Sequence, residues 1–71
     1  MKLFENMIPE GSDRPRNNTA AEVIAVASEF LPGGRGKAGV EYYSMWEAAW
    51  RKFPSGYPCF DFNNDTYRVK P

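Results

Sequence analysis

The stretch that decides the fold is residues 39–53, GVEYYSMWEAAWRKF. At helical spacing its large apolar side chains fall on one face and its polar side chains on the other. The apolar face holds Tyr42, Tyr43, Trp46, Ala49, Trp50 and Phe53, with Met45 at its edge. On the polar face Glu47 precedes Arg51 by four residues, which is the favourable order for an ion pair within a helix. The pattern predicts an amphipathic helix over 39–53.

A first helix is predicted upstream, over residues 20–31. Thr19 and Glu22 have the spacing of a capping box, in which each side chain accepts a hydrogen bond from a backbone N–H at the helix start. A proline and two glycines at 32–34 are typical of a helix end. The more apolar side of this helix is expected to face the core, and it carries Ala20, Val23, Ile24, Val26, Ala27, Phe30 and Leu31.

The C-terminal segment 59–69 alternates apolar and polar side chains, which predicts a β-hairpin. A two-residue loop at 64–65 would set its register, with these pairs: Phe62 with Tyr67, Phe60 with Val69, and Asp61 with Arg68. The apolar patch within residues 1–9 is too short for periodicity to separate a strand from a helical turn, so a third strand stays open there. Residues 10–18, rich in turn formers, are expected to be a mobile linker.

These elements predict an α+β fold in one small domain over 1–71: two packed amphipathic helices followed by a C-terminal β-hairpin. A chain of 71 residues is near the lower limit at which a hydrophobic core alone supports a fold. Aromatic residues make up 15% of it, and their packing is the expected source of stability.

The composition is poor in groups that carry out catalysis or bind metals. There is no histidine, so Cys59, the one cysteine, lacks the usual base that activates a nucleophile, and it cannot form a disulfide within the chain. A zinc site is not expected from the same inventory. No two carboxylates have a spacing that indicates a paired acid and base. We therefore expect a protein that is not an enzyme and uses no cofactor or metal.

The order helix, helix, hairpin is that of a winged-helix DNA-binding domain, in which Arg35, Lys37, Arg68 and Lys70 could contact phosphates. Two observations disfavour this alternative. The connector between the predicted helices is longer than the turn of a helix-turn-helix motif, and nine basic residues are balanced by nine acidic ones. A winged-helix-like regulator is kept as the second hypothesis.

Tyrosine, tryptophan, methionine and arginine are enriched at protein interfaces. The aromatic face of 39–53 is first of all a core against which the first helix and the hairpin could pack, and whether all of it is core stays open. Because the face is wide for a three-turn helix to cover, its flanks could stay partly exposed and meet a partner while Trp46, Ala49 and Phe53 fill the core. The leading hypothesis is a small protein-binding module, a stoichiometric inhibitor or regulator of a larger protein, of the kind that phages and mobile elements carry. It would act as a monomer or a homodimer. The candidate partner-binding residues are Tyr42, Tyr43, Met45, Trp50, Arg51, Arg35 and Lys37.

The first nine residues contain no apolar run long enough for a signal peptide or a membrane span. A lone cysteine also fits a reducing compartment. The sequence therefore predicts a soluble protein of the cytoplasm (the host cytoplasm if a phage encodes it) with no membrane partner.

Overall fold

In the computed structural model of this chain, helix α1 spans Ala20–Ser28 and is followed by three short strands. The strands are β1 (Val40–Ser44), β2 (Ala49–Lys52) and β3 (Tyr67–Val69), and a 3-10 turn at Gly36–Gly39 leads into β1. The structure describes Leu3, Phe4, Met7 and residues 15–53 and 60–71. Over these residues the fold is α+β, with one α-helix and one antiparallel sheet of three strands.

The start of α1 is as predicted. Thr19 Oγ1 accepts a hydrogen bond from the Glu22 N–H at 3.2 Å, and Glu22 Oε1 accepts one from the Thr19 N–H at 2.8 Å. The helix ends at Ser28, three residues before the predicted end. After Ser28 the chain leaves the helical path and turns back. The Gly36 N–H donates a hydrogen bond to the Glu29 carbonyl at 2.6 Å, and this bond closes a loop over residues 29–36.

The predicted helix over 39–53 is wrong, because this stretch forms the hairpin of β1 and β2. The two strands pair antiparallel, with Tyr43 opposite Trp50 and Ser44 opposite Ala49. Both ends of the stretch carry β-branched or aromatic side chains that pack well on a pleated sheet: Val40, Tyr42 and Tyr43 at one end, and Trp50 and Phe53 at the other. β1 lies in the middle of the sheet, in the order β2-β1-β3, so it bonds to a neighbour on each side. A helix over these residues could not form backbone hydrogen bonds to both neighbouring strands.

The predicted C-terminal hairpin over 59–69 is also wrong, although its last strand is real. β3 pairs with β1, not with residues 60–62, and places Arg68 opposite Glu41. The chain before β3 forms a turn around Asp61, whose Oδ1 accepts hydrogen bonds from the backbone N–H groups of Asn63 and Asn64, both at 3.3 Å. An aspartate that satisfies the two following N–H groups in this way favours a turn over a strand. Cys59 lies outside the described residues.

The core lies between α1 and one face of the sheet. Its buried members are Val26, Val40, Phe53 and Tyr67, and it is bordered by the half-buried Phe60 and Phe62. Aromatic rings meet edge to face across it: Phe53 and Phe60 have centroids 5.1 Å apart, and Phe60 and Tyr67 have centroids 4.9 Å apart. Such pairs add to the stabilisation that burial alone gives. The expected role of aromatic packing is therefore met by Phe53, while Trp46 lies outside the core.

The face that α1 turns inward differs from the prediction. Its buried residues are Glu22 and Val26, while Ile24 and Leu31 on the predicted inner side are exposed. The reason is electrostatic. Both oxygens of the Glu22 carboxylate bond to the Arg16 guanidinium at 2.8 Å, and they also accept from the backbone N–H groups of Thr19 and Phe4. A carboxylate with this many donors is stable at 1% exposure.

Segment 15–18, assigned to a mobile linker, is held to the sheet by hydrogen bonds. The Asn18 carboxamide donates to the Tyr67 carbonyl at 2.7 Å and accepts from the Tyr67 N–H at 2.9 Å. Thr66 Oγ1 donates to the Arg16 carbonyl at 3.1 Å. Residues 10–14 lie outside the described residues, as does most of the candidate third strand at 1–9. Where that N-terminal segment is described, at Leu3, Phe4 and Met7, it is not strand.

Candidate protein-binding surface

The turn between β1 and β2 projects two large apolar side chains into solvent. The strands close at the pair Ser44 and Ala49, so residues 45–48 form the turn. Trp46 is 99% exposed and its neighbour Met45 is 59% exposed. Single exposed apolar residues are normal on a protein surface. A tryptophan with no burial at all is different, because its large apolar area gains nothing from the fold and is the type of group most enriched at binding hot spots.

The turn itself is held in a defined shape. Ala48 has φ of 51°, in the left-handed region that a residue with a Cβ adopts at a cost. Arg51 Nε and Glu47 Oε2 lie 2.8 Å apart and join the turn to β2. This ion pair has the i,i+4 spacing from which a helix was predicted, and here it bridges a turn and a strand. The display of Trp46 therefore follows from a specific turn conformation.

β2 continues this surface from the turn with two exposed cations, Arg51 and Lys52. A groove of about 440 Å³ lies against the strand and is lined by Glu41, Tyr42, Trp50, Arg51 and Lys52. We call Met45, Trp46, Trp50, Arg51 and Lys52 the hairpin surface. It combines apolar anchors with positive charge along a strand at the edge of the sheet.

Trp50 is half-buried and fixed by its neighbours on the outer face of the sheet. The Arg68 guanidinium lies 4.5 Å from the centre of the Trp50 ring and 2.8 Å from the Glu41 carboxylate. The Tyr43 ring meets Trp50 edge to face at 5.5 Å. These contacts combine a cation–π interaction with an ion pair and give the ring one orientation. The Trp50 Nε1 donor is buried, and the described residues offer it no hydrogen-bond partner.

At the end of the sheet opposite the turn, three lysines gather. Lys37, Lys52 and Lys70 line a hollow of about 230 Å³ whose other walls include Val40 and Phe53. The hairpin surface therefore runs from an apolar tip at Trp46 to a basic end. β2 spans four residues between them, which is about 13 Å of extended chain.

Arg35 has a structural role in this region. Its Nε lies 2.9 Å from Glu29 Oε1, and its Nη2 donates to the carbonyl of Lys70 at 3.0 Å. The hydrogen bond from Arg35 lowers the pKa of the Glu29 carboxyl. Arg35 thus ties the end of α1 to the end of β3 and is not placed on the hairpin surface.

Apart from Arg35, the candidate residues from the sequence divide into two groups. Met45, Trp50 and Arg51 lie together on the hairpin surface, with Lys37 at its basic end. Tyr42 is half-buried against the core and Tyr43 is 5% exposed, so neither offers a free ring. Sequence reasoning missed Trp46 and Lys52. The signal that could have found them is the presence of strand-favouring aromatic residues on both sides of residues 45–48, at Tyr42, Tyr43, Trp50 and Phe53.

The perturbed ionisable groups all have structural partners. The Arg16 guanidinium and two backbone N–H groups hold the pKa of Glu22 at about 2, below its ordinary value of 4.5. The Asn64 carboxamide, with the N–H groups of Asn63 and Asn64, lowers the pKa of Asp61. In the part of the chain that the structure describes, no three histidine, cysteine, aspartate or glutamate side chains are grouped so as to hold a metal ion. That the chain is not an enzyme stays a prediction.

Comparison with known protein families, with curated proteins and with solved structures finds no match to this chain. Within the described residues, no helix has the length and apolar character needed to cross a membrane.

Proposed function

We propose that this chain is a small non-enzymatic binding protein that contacts a larger protein through its hairpin surface. The observation that carries the proposal is Trp46, fully exposed beside Met45 at the tip of a hairpin whose turn is bridged by the Glu47–Arg51 ion pair. Tryptophan is among the residues that contribute most to protein–protein affinity. Stoichiometric inhibition or regulation of the partner is the role suggested by the sequence, and it remains a prediction, as does a cytoplasmic location.

The alternative, a winged-helix-like DNA-binding regulator, loses the feature that suggested it. That reading needed residues 39–53 as a second helix, and these residues form β1 and β2. Of its four candidate phosphate contacts, Arg35 is paired with Glu29 and Arg68 with Glu41. Binding of duplex DNA that weakens steeply with salt would revive this alternative.

The test compares capture of a partner by the wild-type chain, by Trp46→Ser and by Ile24→Ser. Ile24 is a matched control because it is also apolar and exposed, but it lies on α1 away from the hairpin. Each tagged chain is used to capture protein from a lysate of the source organism, and the bound fraction is identified by mass spectrometry. Loss of one dominant partner by about 30-fold with Trp46→Ser alone supports the proposal. Equal capture by wild type and Trp46→Ser contradicts it.

A further inference from the structure

The backbone of β2 has an open edge. The Phe53 N–H donates to the Val40 carbonyl at 3.3 Å, which marks this pair as hydrogen-bonded. Because bonded and non-bonded pairs alternate along antiparallel strands, Arg51 also points its N–H and C=O at β1. Trp50 and Lys52 therefore point theirs away from the sheet, where the described residues supply no hydrogen-bond partner.

At the opposite edge of the sheet, the outward backbone groups of β3 already have hydrogen-bond partners. The outward N–H and C=O of Tyr67 in β3 are both bonded to the Asn18 carboxamide, at 2.9 and 2.7 Å. A side-chain amide has the same donor and acceptor as a peptide unit, so Asn18 occupies the position that an added strand would take. β2 is thus the edge of the described sheet on which a further strand can add.

The charges around β2 favour an acidic occupant. Lys52 is exposed at the edge, and Lys37 and Lys70 share the hollow beside it. The Glu41 carboxylate lies opposite Lys52 in the strand pairing and is bonded to Arg68 at 2.8 Å. Acidic side chains on an added strand would approach Lys52 from its open side, and opposite charges across a strand pair are stabilising.

The same charges disfavour a second copy of this chain on the edge. In the antiparallel register that uses the outward groups of both Trp50 and Lys52, Trp50 would lie against Lys52 of the other copy. Arg51 would then lie directly opposite its own counterpart. Like charges in opposed positions destabilise a strand pair, and edge lysines are a common defence against self-pairing.

We infer that β2 binds an extended acidic segment of the partner protein by strand addition, with its backbone on the outward groups of Trp50 and Lys52. This inference rests on the proposed function and specifies how the hairpin surface recognises its partner. Main-chain hydrogen bonds supply part of the affinity in this mode, and side chains on alternate positions supply specificity. A segment that runs along β2 toward the turn also reaches Trp46.

The direct test uses the full chain labelled with ¹⁵N and two acetylated, amidated hexapeptides. One alternates valine with glutamate, and the other alternates valine with lysine. The acidic peptide is expected to bind about tenfold more tightly than the basic one. On its addition, the amide protons of Trp50 and Lys52 are expected to exchange with solvent about tenfold more slowly, because both groups become bonded. Absence of any change at these amides, or protection at β3 in their place, overturns the inference.

Three variants of Lys52 test the backbone contribution and the charge. Lys52→Pro removes the lysine charge together with an outward N–H that takes no part in the pairing with β1, and it is expected to abolish binding of the acidic peptide. Lys52→Glu keeps the N–H and is expected to reverse the preference between the two peptides. Lys52→Arg keeps both the N–H and the positive charge, so it is expected to retain the preference for the acidic peptide. If Lys52→Pro fails to fold, the Glu and Arg variants decide the question alone. An unchanged preference in Lys52→Glu overturns the inference.

The failure of strand addition can be distinguished from failure of the proposed function. If Trp46→Ser loses the partner but neither hexapeptide protects β2, the hairpin tip binds and strand addition is wrong. If the acidic peptide protects β2 while Trp46→Ser still captures the partner, strand addition stands and the proposed role of Trp46 in binding is wrong. Light scattering of the free chain adds a third outcome. If the wild-type chain is a dimer and Lys52→Pro is a monomer, a second copy of the chain occupies the edge, and the inference of an acidic occupant is overturned.

Discussion

Replacing Glu22 by glutamine preserves the shape of the side chain and removes the charge that Arg16 and two backbone N–H groups stabilise. In the native chain these groups hold the pKa of Glu22 at about 2, below its ordinary value of 4.5. Since one pKa unit corresponds to about 1.4 kcal/mol, the difference corresponds to about 3 kcal/mol of stability. A domain of this length has a total stability of about 4–10 kcal/mol, so the loss is large.

The sign of the pH dependence follows from the depressed pKa. The contribution of Glu22 is fully present above about pH 4.5 and is lost as the pH falls toward 2, because the unfolded state takes up the proton first. Glu22→Gln is expected to lack this component. Its deficit relative to wild type should therefore be about 3 kcal/mol near neutral pH and should shrink steadily below about pH 4.5.

The assay is urea denaturation followed by circular dichroism, at a series of pH values, for wild type, Glu22→Gln and Glu47→Gln. Glu47 is the matched control because it also lies 2.8 Å from an arginine, but that pair is half-exposed and is expected to contribute less than about 1 kcal/mol. A loss of stability in Glu22→Gln no greater than in Glu47→Gln refutes the stabilising role of the buried Glu22 carboxylate. That role is also refuted if the deficit of Glu22→Gln stays constant between neutral and strongly acidic pH.

Three further predictions concern the hairpin and the loop before it. Trp46→Ala is expected to change the free energy of unfolding by less than about 0.5 kcal/mol, whereas Phe53→Ala should cost about 3–5 kcal/mol; comparable losses in thermal denaturation would place Trp46 in the core. Ala48→Gly should stabilise the fold by about 0.5–1 kcal/mol because it relieves the positive φ, and a lower melting temperature would count against the observed turn. Gly34→Ala should lower the melting temperature because its Cβ would collide with the backbone carbonyl of Glu29, and an unchanged value would argue against this close approach.

The sequence predicted correctly a feature that depends on residues close together in the chain. The capping box of Thr19 and Glu22 predicted the start of α1 correctly, because both hydrogen bonds form within four residues. The turn around Asp61 also has a local cause, yet the alternation of Phe60 and Phe62 obscured it. The strand at Tyr67–Val69 was expected, but its partner was not, because β1 lies more than twenty residues upstream.

The hairpin surface could be predicted only in part. Large side chains at Tyr42, Trp46, Trp50 and Phe53 recur at helical spacing, so periodicity alone favoured a helix. The turn carries no glycine or asparagine to mark it, since Ala48 occupies the left-handed position. Met45, Trp50 and Arg51, which were predicted from the sequence to contact a partner, lie together on the hairpin surface, and their contact with a partner stays a prediction. The exposure of Trp46 depends on the turn at 45–48, which no glycine, proline or asparagine marks.

The most direct test of this account is residue-resolved amide hydrogen exchange of the free chain over 40–52. In the hairpin described here, the amide of Arg51 is bonded to β1 and should exchange slowly, while the amides of Trp50 and Lys52 on either side of it face outward and should exchange rapidly. The amides of the central strand β1 should be protected throughout. A helix would instead protect 43–52 continuously. Continuous protection through Trp50, Arg51 and Lys52 would contradict both the hairpin and its open edge, and with them the proposed binding surface.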